Sequence, residues 1–109
     1  MAKIIWTEPA LTDLNEIAEY IALDKPTAAN NLVQRILKKT ERLEDSPNSG
    51  RKPPELKKSR YKEIIVNPCR IFYRIDGSNI VILYIMRSER KLRQFLLNER
   101  AEKKQLQAG

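Results

Sequence analysis

The stretch Tyr61–Arg90, YKEIIVNPCRIFYRIDGSNIVILYIMRSER, decides the fold. Three apolar-rich runs, Ile64–Val66, Ile71–Ile75 and Ile80–Met86, are separated by Asn67-Pro68 and by Asp76-Gly77-Ser78. Runs of β-branched and aromatic residues bounded by such turn formers predict three consecutive strands joined by two hairpin turns. In the middle strand a period of two puts Cys69, Ile71, Tyr73 and Ile75 on one face and Arg70, Phe72, Arg74 and Asp76 on the other. The first set is expected beneath the rest of the chain, and the second open to solvent or to a partner. The last run is apolar on both faces, as a central or covered strand is.

Before this stretch, Lys3–Trp6 is a short strand candidate that ends at Thr7-Glu8-Pro9. Leu11, Leu14, Ile17, Ala18 and Ile21 then recur at helical spacing with Asp13, Glu16 and Glu19 between them, which predicts an amphipathic helix from about Pro9 to Leu23. After the break at Asp24-Lys25-Pro26, the residues Ala29, Leu32, Val33, Ile36, Leu37 and Leu43 continue the period to about Asp45. Two helices with so short a connection form an antiparallel hairpin. The charged residues Arg35, Lys38, Lys39, Glu41 and Arg42 read most simply as its solvated face.

Ser46–Gly50 ends that helix, and Arg51–Arg60 is a basic loop stiffened by Pro53 and Pro54. Beyond the strands, Ser88 is expected to cap a short helix with Leu92, Phe95 and Leu96 facing inward and Arg87, Arg90, Lys91 and Arg93 outward. The tail past about Glu99 is polar and expected to fray. The class is therefore α+β, a helical hairpin packed on a twisted, mainly antiparallel sheet, in one domain spanning residues 1–109.

The protein has 21 lysines and arginines against 14 acids and no histidine. Without histidine there is no imidazole base, no Ser-His-Asp or Cys-His catalysis and no His-ligated zinc. Three glycines leave no glycine-rich phosphate loop, and no cofactor or metal is expected. The lone Cys69 reads as a small buried hydrophobe. The longest apolar run, Ile80–Met86, is too short to span a membrane, and a cytoplasmic location is expected.

The positive charge is uneven. Residues 1–24 hold one base and five acids, whereas Arg51–Arg74 holds eight bases against Glu55 and Glu63. A polyanionic or locally acidic partner is expected for that half of the chain.

The order of elements, with Gly50-Arg51, Pro54-Glu55-Leu56, Tyr61-Lys62-Glu63-Ile64 and Arg70-Ile71-Phe72-Tyr73-Arg74-Ile75 at their spacing, resembles the RelE/ParE superfamily of type II toxin-antitoxin toxins. The resemblance implies a cognate antitoxin that wraps the toxin. It also implies one of two activities: ribosome-dependent messenger-RNA cleavage in RelE-like members, or poisoning of DNA gyrase in ParE-like ones. Arg70 matches the sheet arginine of the nucleases and Glu55 stands roughly where a nuclease glutamate does, but Ile85-Met86-Arg87-Ser88 offers no histidine or tyrosine for proton transfer. The long helical hairpin also fits the ParE-like branch, so gyrase inhibition is the better fit, with messenger-RNA cleavage second and a non-toxic basic nucleic-acid-binding module third.

The residues expected to meet a target or antitoxin are Arg51, Lys52, Arg70, Arg74, Arg87, Arg90, Lys91 and Arg93. Each has a plainer reading beside it. Arg70 and Arg74 can pair with Asp76, Glu63 or a terminal carboxylate, Glu55 can simply be solvated, and Trp6 and Tyr73 can be core residues.

Overall fold

The computed structural model describes residues 2–102, and its elements follow the chain in the expected order. Strand β1 (Lys3–Trp6) precedes helices α1 (Glu8–Ala22) and α2 (Pro26–Glu41). Three short 3-10 turns at Arg42–Glu44, Pro47–Ser49 and Pro54–Leu56 then lead to strands β2 (Tyr61–Val66), β3 (Cys69–Asp76) and β4 (Asn79–Arg87), and helix α3 (Gln94–Glu102) closes the chain.

Both α1 and α2 carry proline in the first turn, where the missing N–H breaks no helical bond. Thr7 is the N-cap of α1: its Oγ1 accepts from the N–H of Ala10 at 3.3 Å and donates to the carbonyl of Ile82 at 2.8 Å. One hydroxyl thus ties the start of the helix to the sheet.

The four strands lie in the order β1-β4-β3-β2, with β1 parallel to β4 and the other pairs antiparallel. The apolar β4 is therefore interior, as its composition predicts. Its turn from β3 places Gly77 at φ +61°, a conformation that costs glycine nothing and other residues a steric clash. The β3–β4 register slips at Phe72/Tyr73, so that Leu83 and Tyr84, neighbours in sequence, are both buried on the same side of the sheet.

One face of the sheet takes the helical hairpin. Ala10, Leu14, Leu32, Ile36 and Leu43 pack on Ile64, Cys69, Ile71, Tyr73, Ile80 and Ile82, so the first face of the middle strand is where the period of two puts it. The thiol of Cys69 is fully buried and pushed up to about 11 by desolvation.

The opposite face departs from expectation. It is covered rather than open: Phe72 is fully buried with Leu56, Val81, Leu83, Tyr84, Met86 and Leu97, and Arg70 is only 8 % exposed. The cover comes from the Pro54–Leu56 turn and from α3. That helix begins six residues after Ser88, whose N–H instead donates to the Pro68 carbonyl at 2.7 Å, and its buried residue is Leu97, while Phe95 is exposed. The helix continues through Glu102, and the rest of the tail expected to fray lies outside the described residues.

Among the described residues no helix is long and apolar enough to cross a membrane, and no cluster of three or more His, Cys, Asp or Glu could hold a metal.

Candidate functional site

Arg70 sits in mid-sheet on β3, its guanidinium 4.9 Å from the centre of the Phe72 ring. A guanidinium there must find acceptors, because leaving a buried charge unpaired costs several kcal/mol. It finds two carboxylates. Nε donates to Oε1 of the fully buried Glu63 at 2.6 Å, and the two terminal nitrogens donate to Glu55 at 2.7 and 2.8 Å in a bidentate fork. Arg51 completes the row, its Nε donating to the other Glu63 oxygen at 2.8 Å.

The backbone explains how the four meet. Glu63 lies on the outer edge of β2, where its N–H and carbonyl bond to those of Arg51 at 2.8 and 3.0 Å. Gly50 sits beside that bridge, with its N–H donating to the Tyr73 hydroxyl at 3.0 Å. A β-carbon at Gly50 would fall 2.5 Å from that hydroxyl and 2.8 Å from the Glu63 carbonyl. The chain there needs glycine for closeness, since its φ of −70° is ordinary. The following prolines and the buried Leu56 then hold Glu55 over Arg70.

The hydrogen bonds from Arg70 lower the Glu55 carboxyl to about 2, and the paired carboxylates raise Arg70 above its ordinary value. A shallow cavity of about 350 Å³ lies over the row, lined by Arg51, Pro54, Glu55, Ile65, Arg70 and Ser88.

A second concavity of about 430 Å³ opens between α1, the end of β4 and the segment after it. Strand β1 pairs only as far as Ile82, so the last part of β4 has side chains instead of a strand along that side. The Asp13 carboxylate accepts from the Ile85 N–H at 3.0 Å and from Arg100 at 2.7 and 3.2 Å, while Arg100 also donates to the Leu83 carbonyl at 3.1 Å. Burial pushes the Asp13 carboxyl above its ordinary value, against the opposing pull of Arg100 and the Ile85 N–H.

Arg87 forms one wall, its guanidinium 4.8 Å from the centre of the exposed Tyr20 ring. Its Nε is 2.7 Å from Glu89 Oε1 but makes no hydrogen bond. We read the contact as a charge pair with poor alignment, because the distance alone does not aim the N–H. Arg90, Lys91 and Arg93, all exposed, extend the basic side.

The residues expected from the sequence thus divide into separate places. Arg51, Glu55 and Arg70 come together with Glu63, and Lys52 is exposed next to them. Arg87, Arg90, Lys91 and Arg93 line the groove. Arg74 joins neither group, since it donates to the Ala101 carbonyl at 2.9 Å, lies 3.8 Å from Asp76, and so helps hold α3.

Asp13, Tyr20 and Arg100 are groove residues missed from the sequence. Asp13 carried a readable signal: with Ala10, Leu14 and Ile17 it falls at positions i, i+3, i+4 and i+7 of α1, inside the apolar stripe. An acid there implies a buried partner. Tyr20 and Arg100 left no comparable mark.

The sequence model described as "ParE toxin of type II toxin-antitoxin system, parDE" matches residues 4–92. The chain belongs to the ParE family of type II toxin-antitoxin toxins. This ParE-family toxin is 37% identical over 94 residues to Y4kP of Sinorhizobium fredii, which bears a toxin name, with 86% of this chain and 96% of that protein covered. It is 33% identical over 79 residues to Toxin RelE2 of Caulobacter vibrioides, covering 71% and 85%. Among solved structures it is similar to a chain of the chromosomal ParDE toxin-antitoxin system from P. aeruginosa, with TM-score 0.68, 29% identity and coverage of 82% of this chain and 98% of that one. Helix α3 begins two residues past the end of the family match. As a ParE-family toxin it has a cognate antitoxin as its expected counterpart.

Proposed function

We propose that this toxin arrests growth by poisoning DNA gyrase and that a cognate antitoxin neutralises it. The observation that carries the reading is the state of Arg70. All three of its guanidinium nitrogens donate to the chain's own carboxylates, so the residue that a nuclease would turn on a phosphate is already engaged. Glu55, held at about 2, is too weak a base to take a proton from a ribose hydroxyl near neutral pH. The Tyr73 hydroxyl is committed to Pro47 and Gly50, and that of Tyr61 to Asn98.

The assay is direct. Purified toxin, gyrase and supercoiled plasmid are incubated and the protein is then denatured and digested. Gyrase-dependent linear DNA is the expected product, and none at stoichiometric excess of toxin overturns the reading. The 33% identity to Toxin RelE2 favours ribosome-dependent messenger-RNA cleavage as the second reading. Primer extension on translated messages tests it, with cuts appearing only when ribosomes are present.

The groove beside α1 suits the antitoxin, because it joins an apolar floor of Ile17, Met86 and Leu96 to a basic wall. An acidic amphipathic segment is the matching occupant. Arg87→Glu and Arg90→Glu are each expected to weaken the complex, and unchanged affinity in both would move the antitoxin elsewhere.

A further inference from the structure

The loop between Gly50 and β2 carries a charge excess that the folded structure sharpens. Its bases are Arg51, Lys52, Lys57, Lys58 and Arg60, with Glu55 the only acid among them and Glu63 just beyond. Both acids are taken up by Arg70 and Arg51. Lys52, Lys57, Lys58 and Arg60 are exposed, and none forms an ion pair among the described residues.

Arg70 therefore does more than satisfy a buried acid. By binding Glu55 in a fork, it withdraws the loop's own counter-charge and leaves four cations within nine residues facing water. The loop is also held in shape. Arg51 is bridged to Glu63, Leu56 is buried beneath the sheet, and Ser59 returns both its N–H and its hydroxyl to the Leu56 carbonyl at 3.1 and 2.8 Å. Cations on an ordered base lose less freedom when they meet fixed anions than cations on a floppy one.

From this arrangement we infer that the Lys52–Arg60 loop binds the phosphate backbone of double-stranded DNA. Duplex DNA presents about one charge per 1.7 Å of axis, the density such a cluster matches. Single strands are usually held by bases stacked on exposed aromatic rings. The loop has none, since the exposed aromatic residues Tyr20 and Phe95 lie on α1 and α3. Contacts of this kind carry no sequence preference. They place the toxin on the DNA that gyrase also holds, yet the inference rests on the loop alone and stands with or without the gyrase reading.

The test uses the full chain without gyrase. Fluorescence anisotropy of a labelled 30-base-pair duplex is followed between 50 and 300 mM salt for the native protein, Lys57→Gln/Lys58→Gln, Lys52→Gln/Arg60→Gln and the α2 control Lys38→Gln/Lys39→Gln. The native protein is expected to bind two unrelated duplexes equally. Each loop pair is expected to weaken binding at least about tenfold at 100 mM salt and to flatten the slope of log K against log salt by about 1.8, that is 0.9 for each lost phosphate contact. The α2 control should leave both unchanged.

All six changed side chains are exposed, and circular dichroism checks that the variants remain folded. No binding at 50 mM salt, or a slope insensitive to both loop pairs, overturns the inference. So does equal competition by poly-glutamate of matched charge, which would make the loop an acidic-peptide surface, or a clear preference for single-stranded RNA. Because no gyrase is present, these outcomes are separate from those of the plasmid linearisation assay.

Discussion

Replacing Arg70 with methionine tests the charge row most severely. The change keeps most of the volume under the loop and removes the guanidinium, leaving the fully buried Glu63 with only Arg51, whose side chain is 58% exposed. Breaking a buried pair from one side costs about 3–5 kcal/mol, because the surviving charge is left in a medium that solvates it poorly. At about 4 °C per kcal/mol for a chain of this size, Tm should fall by about 12–20 °C.

Glu55→Gln probes the same row from its wet end. Glu55 is 43% exposed, so solvent already screens the pair and the cost should be about 1 kcal/mol. The pH dependence follows from the same contact. The Glu55 carboxyl is depressed from 4.5 to about 2, so the unfolded chain binds its proton more readily than the folded one. The stability it contributes is complete above about pH 4.5 and fades as pH falls towards 2, where wild type and Glu55→Gln should converge.

The double variant Arg70→Met/Glu63→Leu removes both interior charges and should recover most of the loss. Urea denaturation followed by circular dichroism, repeated across that pH range, measures all three variants. The reasoning fails if Arg70→Met costs no more than Glu55→Gln, or if the double variant is no more stable than Arg70→Met alone.

Gly50→Ala forces a β-carbon against the Tyr73 hydroxyl and the Glu63 carbonyl, both held by the sheet, and should cost about 1–3 kcal/mol in a denaturant titration. Leu97→Ala empties the fully buried position of α3 and should weaken the docking of that helix on the sheet by about 2–5 kcal/mol. Hydrogen exchange should show amides 94–102 losing protection ahead of those in β4, and equal loss in both would mean that α3 is no separate unit. Cys69, fully buried with its thiol pushed up to about 11, should resist a thiol reagent at pH 8 until urea unfolds the chain, whereas fast labelling of folded protein would contradict its placement.

The parts legible in the sequence were those carried by near neighbours. Helical spacing found α1 and α2, turn formers bracketed β2, β3 and β4, and the uninterrupted apolar run made β4 an interior strand. The second face of β3 was misread as open because its cover comes from Leu56 and Leu97, one on a turn before the strand and one on a helix after it. Periodicity names the two faces of a strand but not what lies on either. The same limit displaced α3: the run from Leu92 to Leu97 fits a helix in several registers, and contact with Phe72 and Leu83 selects the one that buries Leu97 and exposes Phe95.

By itself the sequence determined the class of fold, the basic half of the chain, the lack of imidazole chemistry and the membership that Arg70-Ile71-Phe72-Tyr73-Arg74-Ile75 and its neighbours signalled. Only the tertiary structure decided what the arginines do. Arg70 turns inward to two carboxylates, Arg74 holds α3, Arg100 pairs with Asp13, and Lys52, Lys57, Lys58 and Arg60 of the loop, with Arg90, Lys91 and Arg93 of the groove, are left facing water. The reason is physical: a guanidinium pairs with whatever acid the fold brings within about 3 Å. Glu55 and Glu63 are 15 and 7 residues away along the chain, a separation that no local pattern records.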